Sequence, residues 1–347
     1  MRVLVLGGTG FIGTHIVRAL LGAGHEVTIF RREPNSVDLP RSVSAIFGDR
    51  NRLEASATEF RNLRPDVVVD LIAYTEEQGK DLTATFNGIA KRAVVLSSSD
   101  VYRANDLFFG LVSGPSEPTP LKECSPLRER LYPCRGVPFP NINGFSWNDY
   151  DKILVERVVA SNLEMPTTVL RLPMVYGPGA YDMRKRRFWP YWKRMEDGRN
   201  AILLDQRTAR WRACWGYVED MAEAVRLAVE SERWAGQIYN VAEADRLDIQ
   251  DWLREISNVL AWRGKIVVID EECPEPSLPR SLNLDQHLDI DASKIRRELG
   301  YKEIVSRHDA LERCIAWERT HPPSQVNPAL FDYAAEDVIL SRVQSAA

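Results

Sequence analysis

Arg2-Val3-Leu4-Val5-Leu6-Gly7-Gly8-Thr9-Gly10-Phe11-Ile12-Gly13 is the stretch on which the reading of this chain turns. Its first five residues are a short apolar run of the length and composition of a buried parallel strand. Thr14-His15-Ile16-Val17-Arg18-Ala19-Leu20-Leu21 then carries helical apolar spacing, Gly24-His25 punctuates, and Glu26-Val27-Thr28-Ile29-Phe30 reads as a second strand. Strand, glycine turn, helix and strand in that order form one βαβ unit. Gly7 permits the tight turn, Gly10 lets the backbone approach a pyrophosphate, and Gly13 lets the helix pack close to the strand. With Thr9, Phe11 and Ile12 they form the loop whose free amides and positive helix end suit phosphate. In this context the motif predicts a dinucleotide-binding Rossmann domain.

The end of the second strand sets which dinucleotide is preferred. An acidic side chain there would bind the adenosine ribose of NAD, whereas arginine favours the additional phosphate of NADP. The chain has Phe30-Arg31-Arg32 and no acid before Glu33. Arginine can hold a phosphate through two bonds at once, so NADP is the expected cofactor and NAD the alternative. The plainer reading of one or both arginines is a solvated surface residue.

Strand-like runs recur at Val67–Ala73, Ala93–Ser99 and Thr167–Leu172, with helical patterns between them. This is the signature of an α/β fold, a doubly wound parallel sheet. Ligands of such sheets sit at the carboxyl ends of the strands, where Asp49, Ala73-Tyr74, Ser97-Ser98-Ser99 and Pro173 fall. Residues 1–177 are assigned to the Rossmann domain, including a proline-rich excursion over 103–146 without clear periodicity. Residues 178–330 should build a smaller α/β substrate-binding region, with late Rossmann elements near 211–243. Residues 331–347 form a tail in which Phe331–Leu340 looks like a short amphipathic helix.

The chain has 347 residues, is 44% apolar and carries a net charge of −4. That length supports a sizeable core, and the charge gives no global basic field for nucleic acid or anionic membrane. Apolar runs are far shorter than a membrane span, and Met1 leads straight into a strand, leaving no room for a signal peptide. Five scattered cysteines form no metal-ligand cluster, which favours a reduced, cytoplasmic protein; Cys124 and Cys134, ten residues apart, are the one pair with disulfide-compatible spacing. The five histidines show no ligand spacing, so no metal site is expected.

The ordered motifs resemble an extended short-chain dehydrogenase/reductase of the NAD-dependent epimerase/dehydratase type. The resemblance rests on the glycine motif, Gly48-Asp49-Arg50, Ser97–Tyr102, Arg171–Gly179, Tyr217–Ala222, Tyr239-Asn240-Val241, and Asp291–Lys294 with Leu299-Gly300-Tyr301. It implies adenine contacts around Asp49 and Arg50, and cofactor contacts from Ala73, Ser97, Lys152 and Pro173. It also implies Ser98 as the serine that positions the reacting oxygen, substrate contacts from Tyr102, Tyr176 and Arg212, and a homodimer through the helices around Lys152. The substrate that the resemblance implies is a sugar in nucleotide-linked form.

The active-site motif departs from that family. A tyrosine four residues before the helical lysine is the usual acid/base, but Asn148 stands four residues before Lys152. An amide does not exchange protons as a phenol does. Tyr150 lies two residues from Lys152, which on a continuous helix turns it about 200° away, so a packing or surface role is expected for it. Asp100 is the sharpest alternative acid/base; a turn-forming aspartate is an equally weighted reading.

Arg184–Arg187 beside Phe188–Arg194 could bind phosphate and stack a base, or could be a solvated basic face over core aromatics. Two function classes therefore stand: an oxidoreductase, epimerase or dehydratase, or an altered dinucleotide-binding protein of regulatory or RNA-binding type. The acidic balance weakens the RNA version, while Arg184–Arg187 keeps it open.

Overall fold

Strand β1 (Arg2–Leu6) is central to a seven-stranded parallel sheet in the computed structural model, which describes every residue except 33–38, 138–145, 181–185, 234, 271–280 and 347. The chain continues through α1 (Phe11–Gly22), β2 (Glu26–Arg31), β3 (Ser44–Phe47), α2 (Ala57–Leu63), β4 (Val67–Asp70), α3 (Glu76–Phe86) and β5 (Arg92–Ser98). Next come α4 (Arg103–Phe108), α5 (Lys152–Ser161), β6 (Thr167–Leu172), β7 (Met174–Tyr176), α6 (Trp189–Glu196), β8 (Ala201–Asp205), α7 (Gln206–Arg210), β9 (Trp215–Tyr217) and α8 (Val218–Glu230). The last elements are β10 (Ile238–Asn240), α9 (Ile249–Val259), β11 (Lys265–Ile269), α10 (Ser293–Leu299), α11 (Arg307–Thr320) and α12 (Tyr333–Ala346).

The sheet order β10-β6-β5-β4-β1-β2-β3 is that of a doubly wound Rossmann fold with one added strand. Alternate side chains of the central strands feed two cores: Val3, Val5, Val67 and Val69 enter one, and Leu4, Leu6 and Val68 the other. This explains why these strands read as unbroken apolar runs. Strand β4 ends at Asp70, earlier than the apolar run suggests, because Leu71–Ala73 turn out over the sheet edge.

Two parallel pairs, β7–β9 and β8–β11, lie outside the main sheet. An aromatic cluster forms on β7 and β9, with Phe188 on Tyr176 and Trp215 and stacked on Trp252 at 4.8 Å between ring centres. The tail helix α12 starts two residues later than its apolar pattern suggests and is clamped by charge. Buried Arg194 on α6 donates to Glu336 Oε1 through Nε (3.0 Å) and Nη2 (2.7 Å). The proline-rich excursion is not wholly irregular: its first six residues form α4, whose apolar face is too short to announce itself.

Candidate active site

The glycine turn positions the amino end of α1 against the carboxyl ends of β1 and β4. Gly7 has φ of +92°, a left-handed conformation that side chains rarely adopt. A Cβ on Gly13 would lie 2.4 Å from the Gly7 carbonyl oxygen, so the helix can rest on the turn only with glycine there. A Cβ on Gly10 would meet nothing nearer than 4.0 Å. Gly10 is also the N-cap of α1, and no side chain caps that end. The result is an open cradle of helix-start amides, suited to an anionic group.

Phe11, Ile12, Ser98, Asp100 and Pro173 line one cleft of about 1150 Å³ at this end of the sheet. Ser98 accepts a hydrogen bond from the Asp100 amide at 3.2 Å, leaving its own hydroxyl proton for a ligand oxygen. Asp49 is exposed and accepts from the Asn51 amide at 3.0 Å. Thr9 is half-buried in the glycine turn, and Arg31 ends β2 with its guanidinium 5.4 Å from the centre of the Phe47 ring. Arg32 follows, exposed.

Helix α5 begins at Lys152, with Asp151 as its N-cap. Residues 147–149 form a separate 3-10 turn, and Tyr150 is extended. Asn148 and Lys152 therefore do not share a helix, and their four-residue spacing does not place them on one face. Asn148 is exposed, and its side-chain oxygen accepts from the Gly136 amide at 3.1 Å. Tyr150, expected to face away, is 7% exposed and donates its hydroxyl to Asp100 Oδ2 at 2.6 Å. Asp100 Oδ1 is buried without a hydrogen-bond partner.

Burial raises the Asp100 carboxyl above its ordinary range, opposed by the Arg128 charge and the Tyr150 hydrogen bond. Burial, reinforced by the Asp100 charge, raises the Tyr150 phenol well above its usual value. Arg128 donates to the Asp100 carbonyl (2.6 Å) and reaches Asp151 (3.5 Å), tying the excursion to the start of α5. Lys152 is buried. Its ammonium donates to the carbonyls of Ala73 (2.7 Å) and Leu96 (2.8 Å) and lies 4.7 Å from the Tyr74 ring centre. Burial lowers its pKa to about 8, against the pull of the Asp70 and Asp100 carboxylates.

Several expected contacts are placed elsewhere. Ser97 donates to Glu156 (2.5 Å), which pairs with Arg171, so both belong to the support of β5 and β6. Tyr102 is wholly buried, bonded to Asn240 (2.6 Å) and Arg171 (3.0 Å), and cannot touch a substrate. Tyr176 is 2% exposed, donates to Glu243 (2.9 Å) and packs in the aromatic cluster, away from the cleft wall. Arg50 is buried in an ion pair with Asp70. Arg212 faces Asp289 at 3.7 Å and is not part of the cleft lining. Arg184 and Lys185 lie outside the described residues, and Arg186 is buried with its guanidinium on the Ala180 and His321 carbonyls.

Sequence reasoning missed Arg128 and the part played by Tyr74 and Asp151. Only Asp151 carried a local signal, an aspartate directly before Lys152-Ile153-Leu154-Val155, the pattern of an N-cap. The four described cysteines, Cys124, Cys134, Cys214 and Cys314, are free. No cluster of metal-ligating side chains occurs among the described residues, and no helix among them is long and apolar enough to cross a membrane.

Fold and cradle together define a Rossmann-type α/β protein. The chain belongs to the NAD dependent epimerase/dehydratase family, whose profile it matches over residues 3–126 and 148–242. It is 29% identical over 220 residues to 2'-dehydrokanamycin reductase of Streptomyces kanamyceticus, an alignment covering 61% of this chain and 53% of that protein. It thus spans about half the length of this curated relative. Its fold is similar to UDP-glucose 4-epimerase of Thermotoga maritima solved with UDP-glucose (TM-score 0.62, 18% identity, covering 92% of this chain and 99% of the other). It is also similar to the Thermus thermophilus UDP-glucose 4-epimerase in complex with NAD (TM-score 0.63, 21% identity, 92% and 99% covered).

Proposed function

We propose that this chain is a nicotinamide-dinucleotide-dependent oxidoreductase, epimerase or dehydratase that acts on a sugar hydroxyl or carbonyl. The observation that carries the reading is that Phe11 and Ile12, at the uncapped start of α1, line one cleft with Ser98 and with Asp100, to which Tyr150 donates. The fit of a dinucleotide rests on the same cradle: space at Gly10 and free amides at the start of α1. Gly7, Thr9, Gly10, Phe11, Ile12 and Gly13 would hold the pyrophosphate. Asp49 would take the adenine end, Arg31 and Arg32 the 2'-phosphate that selects NADP over NAD, and Pro173 and Lys152 the nicotinamide riboside. When bound, the cofactor supplies hydride acceptance or donation.

The chain's own groups manage the proton. Ser98 donates its hydroxyl to the substrate oxygen and fixes its position. Asp100 takes the proton from a substrate hydroxyl at its unpartnered oxygen, and returns it when the substrate carbonyl is reduced. Tyr150 steadies the carboxylate through its 2.6 Å hydrogen bond. Lys152, with two of its three donors on strand-end carbonyls, keeps one for the ribose.

The nicotinamide cofactor of the Thermus thermophilus neighbour and the sugar of the Thermotoga maritima one support this reading. The binding-only alternative drew on a phenol missing from the site, and the Tyr150–Asp100 contact weighs against it. The test is titration of purified protein with NADPH and NADH by fluorescence, followed by oxidoreduction and epimerisation assays over a panel of sugars with wild type and Asp100→Asn. Dinucleotide binding with turnover lost in the variant is expected; no binding of either dinucleotide ends the proposal.

A further inference from the structure

Asn105, on α4, borders the same cleft as Ser98, Ser99 and Asp100. Its Nδ2 donates to the Ser99 carbonyl at 2.8 Å, which fixes the carboxamide. Its Oδ1 accepts from no described residue. A side chain needed only to satisfy that carbonyl could lie wholly behind the turn. Asn105 is instead half-buried and forms part of the cleft wall. None of the steps assigned to Ser98, Asp100, Tyr150 and Lys152 uses it.

Ser99 also borders the cleft without a role so far. Its hydroxyl oxygen accepts from the Cys214 thiol at 3.6 Å. Burial pushes that thiol up to about 11, so it keeps its proton and remains the donor at neutral pH. A hydroxyl that accepts in this way retains its own proton to give. Ser99 therefore offers the cleft a donor and Asn105 an acceptor.

This second pair stands beside the first. Ser98 and Asp100 supply a donor and an acceptor for the reacting oxygen, and Ser99 lies between them in the chain. Consecutive Cα atoms are about 3.8 Å apart, a spacing suited to oxygens on neighbouring ring carbons. A hydroxyl both donates and accepts, so it engages both Ser99 and Asn105. A hydrogen in its place leaves both without a partner.

We propose, resting on the sugar-oxidoreductase reading above, that Asn105 and Ser99 are specificity-determining residues that select a substrate with a free hydroxyl on the carbon next to the reacting one. The Ser99 hydroxyl donates to that group and Asn105 Oδ1 accepts from it, while Ser98 and Asp100 hold the reacting oxygen. The substrate class is a vicinal diol, or the α-hydroxy ketone formed by its oxidation.

Reduction of NADP and of NAD by purified protein, with glucose, UDP-glucose and the 2-, 3- and 4-deoxy forms of each, tests this. Deoxygenation at the reacting carbon removes turnover altogether. Deoxygenation at a neighbouring carbon should lower kcat/KM at least about tenfold, the cost of stranding a hydrogen-bonding pair. Asn105→Ala should shrink that preference for hydroxyl over deoxy at least about threefold, and Ser99→Ala, which keeps the carbonyl that anchors Asn105, should do the same. Each protein is compared on the same two sugars, so their intrinsic reactivities cancel. Dinucleotide affinity should stay near wild type in both variants. A preference unchanged in Asn105→Ala, with both sugars slowed equally, gives the side chain to support of the turn; it overturns the inference and leaves the sugar reading standing. Should Asn105→Ala fail to fold, Ser99→Ala decides in the same way. A wild type indifferent to every neighbouring hydroxyl also overturns the inference alone. Absence of turnover with every probe removes the sugar reading and this inference with it.

Discussion

The Tyr150 hydroxyl lies 2.6 Å from Asp100 Oδ2, fifty residues away along the chain. The contact exists because α5 starts at Lys152 and frees Tyr150 from helical geometry, while Ser98 caps the turn that presents Asp100. A phenol and a carboxylate, both shifted upward by burial, thereby meet, and the carboxylate borders the cleft that Phe11 and Ile12 also line.

Replacing Asp100 by Asn should lower kcat by about 10²–10⁴-fold, the usual contribution of a general acid/base, with dinucleotide affinity retained. It should also stabilise the fold at pH 7. Because the folded-state pKa of Asp100 lies above its unfolded value, ionising it disfavours folding. That cost is absent below the unfolded pKa, grows as pH rises through the folded one, and is complete above it. Thermal melts of wild type and Asp100→Asn should differ at neutral pH and converge in acid. A variant less stable than wild type at pH 7 contradicts the account.

Tyr150→Phe keeps the ring and its packing but removes the hydrogen bond that lowers the Asp100 pKa. The acid limb of the kcat/KM profile should therefore move to higher pH, with kcat reduced more than KM is raised. An unshifted acid limb would show that the phenol does not act on the carboxyl.

How far the sequence was legible follows the range of each interaction. The β1–α1–β2 unit reads directly because turn, helix and strand signals are all local, and the structure reproduces them within one to three residues. The i, i+4 spacing of Asn148 and Lys152 suggests a shared helix, whereas the capping aspartate Asp151 sets the boundary and leaves Asn148 and Tyr150 outside α5. Tyr102 and Tyr176 follow the motif, but their burial depends on Arg171, Asn240 and Glu243, each far away in sequence. Arg128 has no local pattern at all. Its function arises only when the excursion folds back onto Asp100 and Asp151.

Two glycines separate folding from binding. Gly13→Ala would force a Cβ against the Gly7 carbonyl and should destabilise the protein severely, by about 1–3 kcal/mol or more as overpacking does. Gly10→Val meets open space and an ordinary backbone conformation (φ −84°), so its melting temperature should stay near wild type. Its dinucleotide affinity should nonetheless fall at least about tenfold, because the branched side chain occupies the phosphate approach. Melting curves and dinucleotide titration on the same two variants distinguish these effects, and a Gly10→Val protein with unchanged affinity would remove the cradle from the binding site.

Lys152 gives a pH signature. Its pKa is lowered to about 8 from 10.5, so the unfolded chain holds more protons than the folded one between those values. Stability contributed by this group therefore rises with pH across that window. Denaturant melts from pH 7.5 to 9.5 should show wild type gaining relative to Lys152→Met, whose titration is absent. The variant should also bind dinucleotide more weakly, since its carbonyl partners at Ala73 and Leu96 lose their donor and the ribose loses its contact. A wild-type minus variant difference that is flat in pH would contradict the shifted ammonium.

Cofactor choice should reside in Arg31 more than in Arg32. Arg31 closes β2 on the cradle side of the sheet, and its guanidinium is held 5.4 Å from the centre of the Phe47 ring, whereas Arg32 is exposed. A guanidinium positioned before ligand arrives loses less freedom on forming a bidentate phosphate contact. Arg31→Ala is accordingly expected to weaken NADP by about 10- to 100-fold, the scale of charge-assisted hydrogen bonds, and to leave NAD within about threefold. Phe47→Ala, which removes the ring but no charge, should weaken NADP by a smaller factor and NAD not at all. Equal losses for both dinucleotides in Arg31→Ala would assign the arginine to general support of the strand end and leave Arg32 alone to carry any preference for NADP.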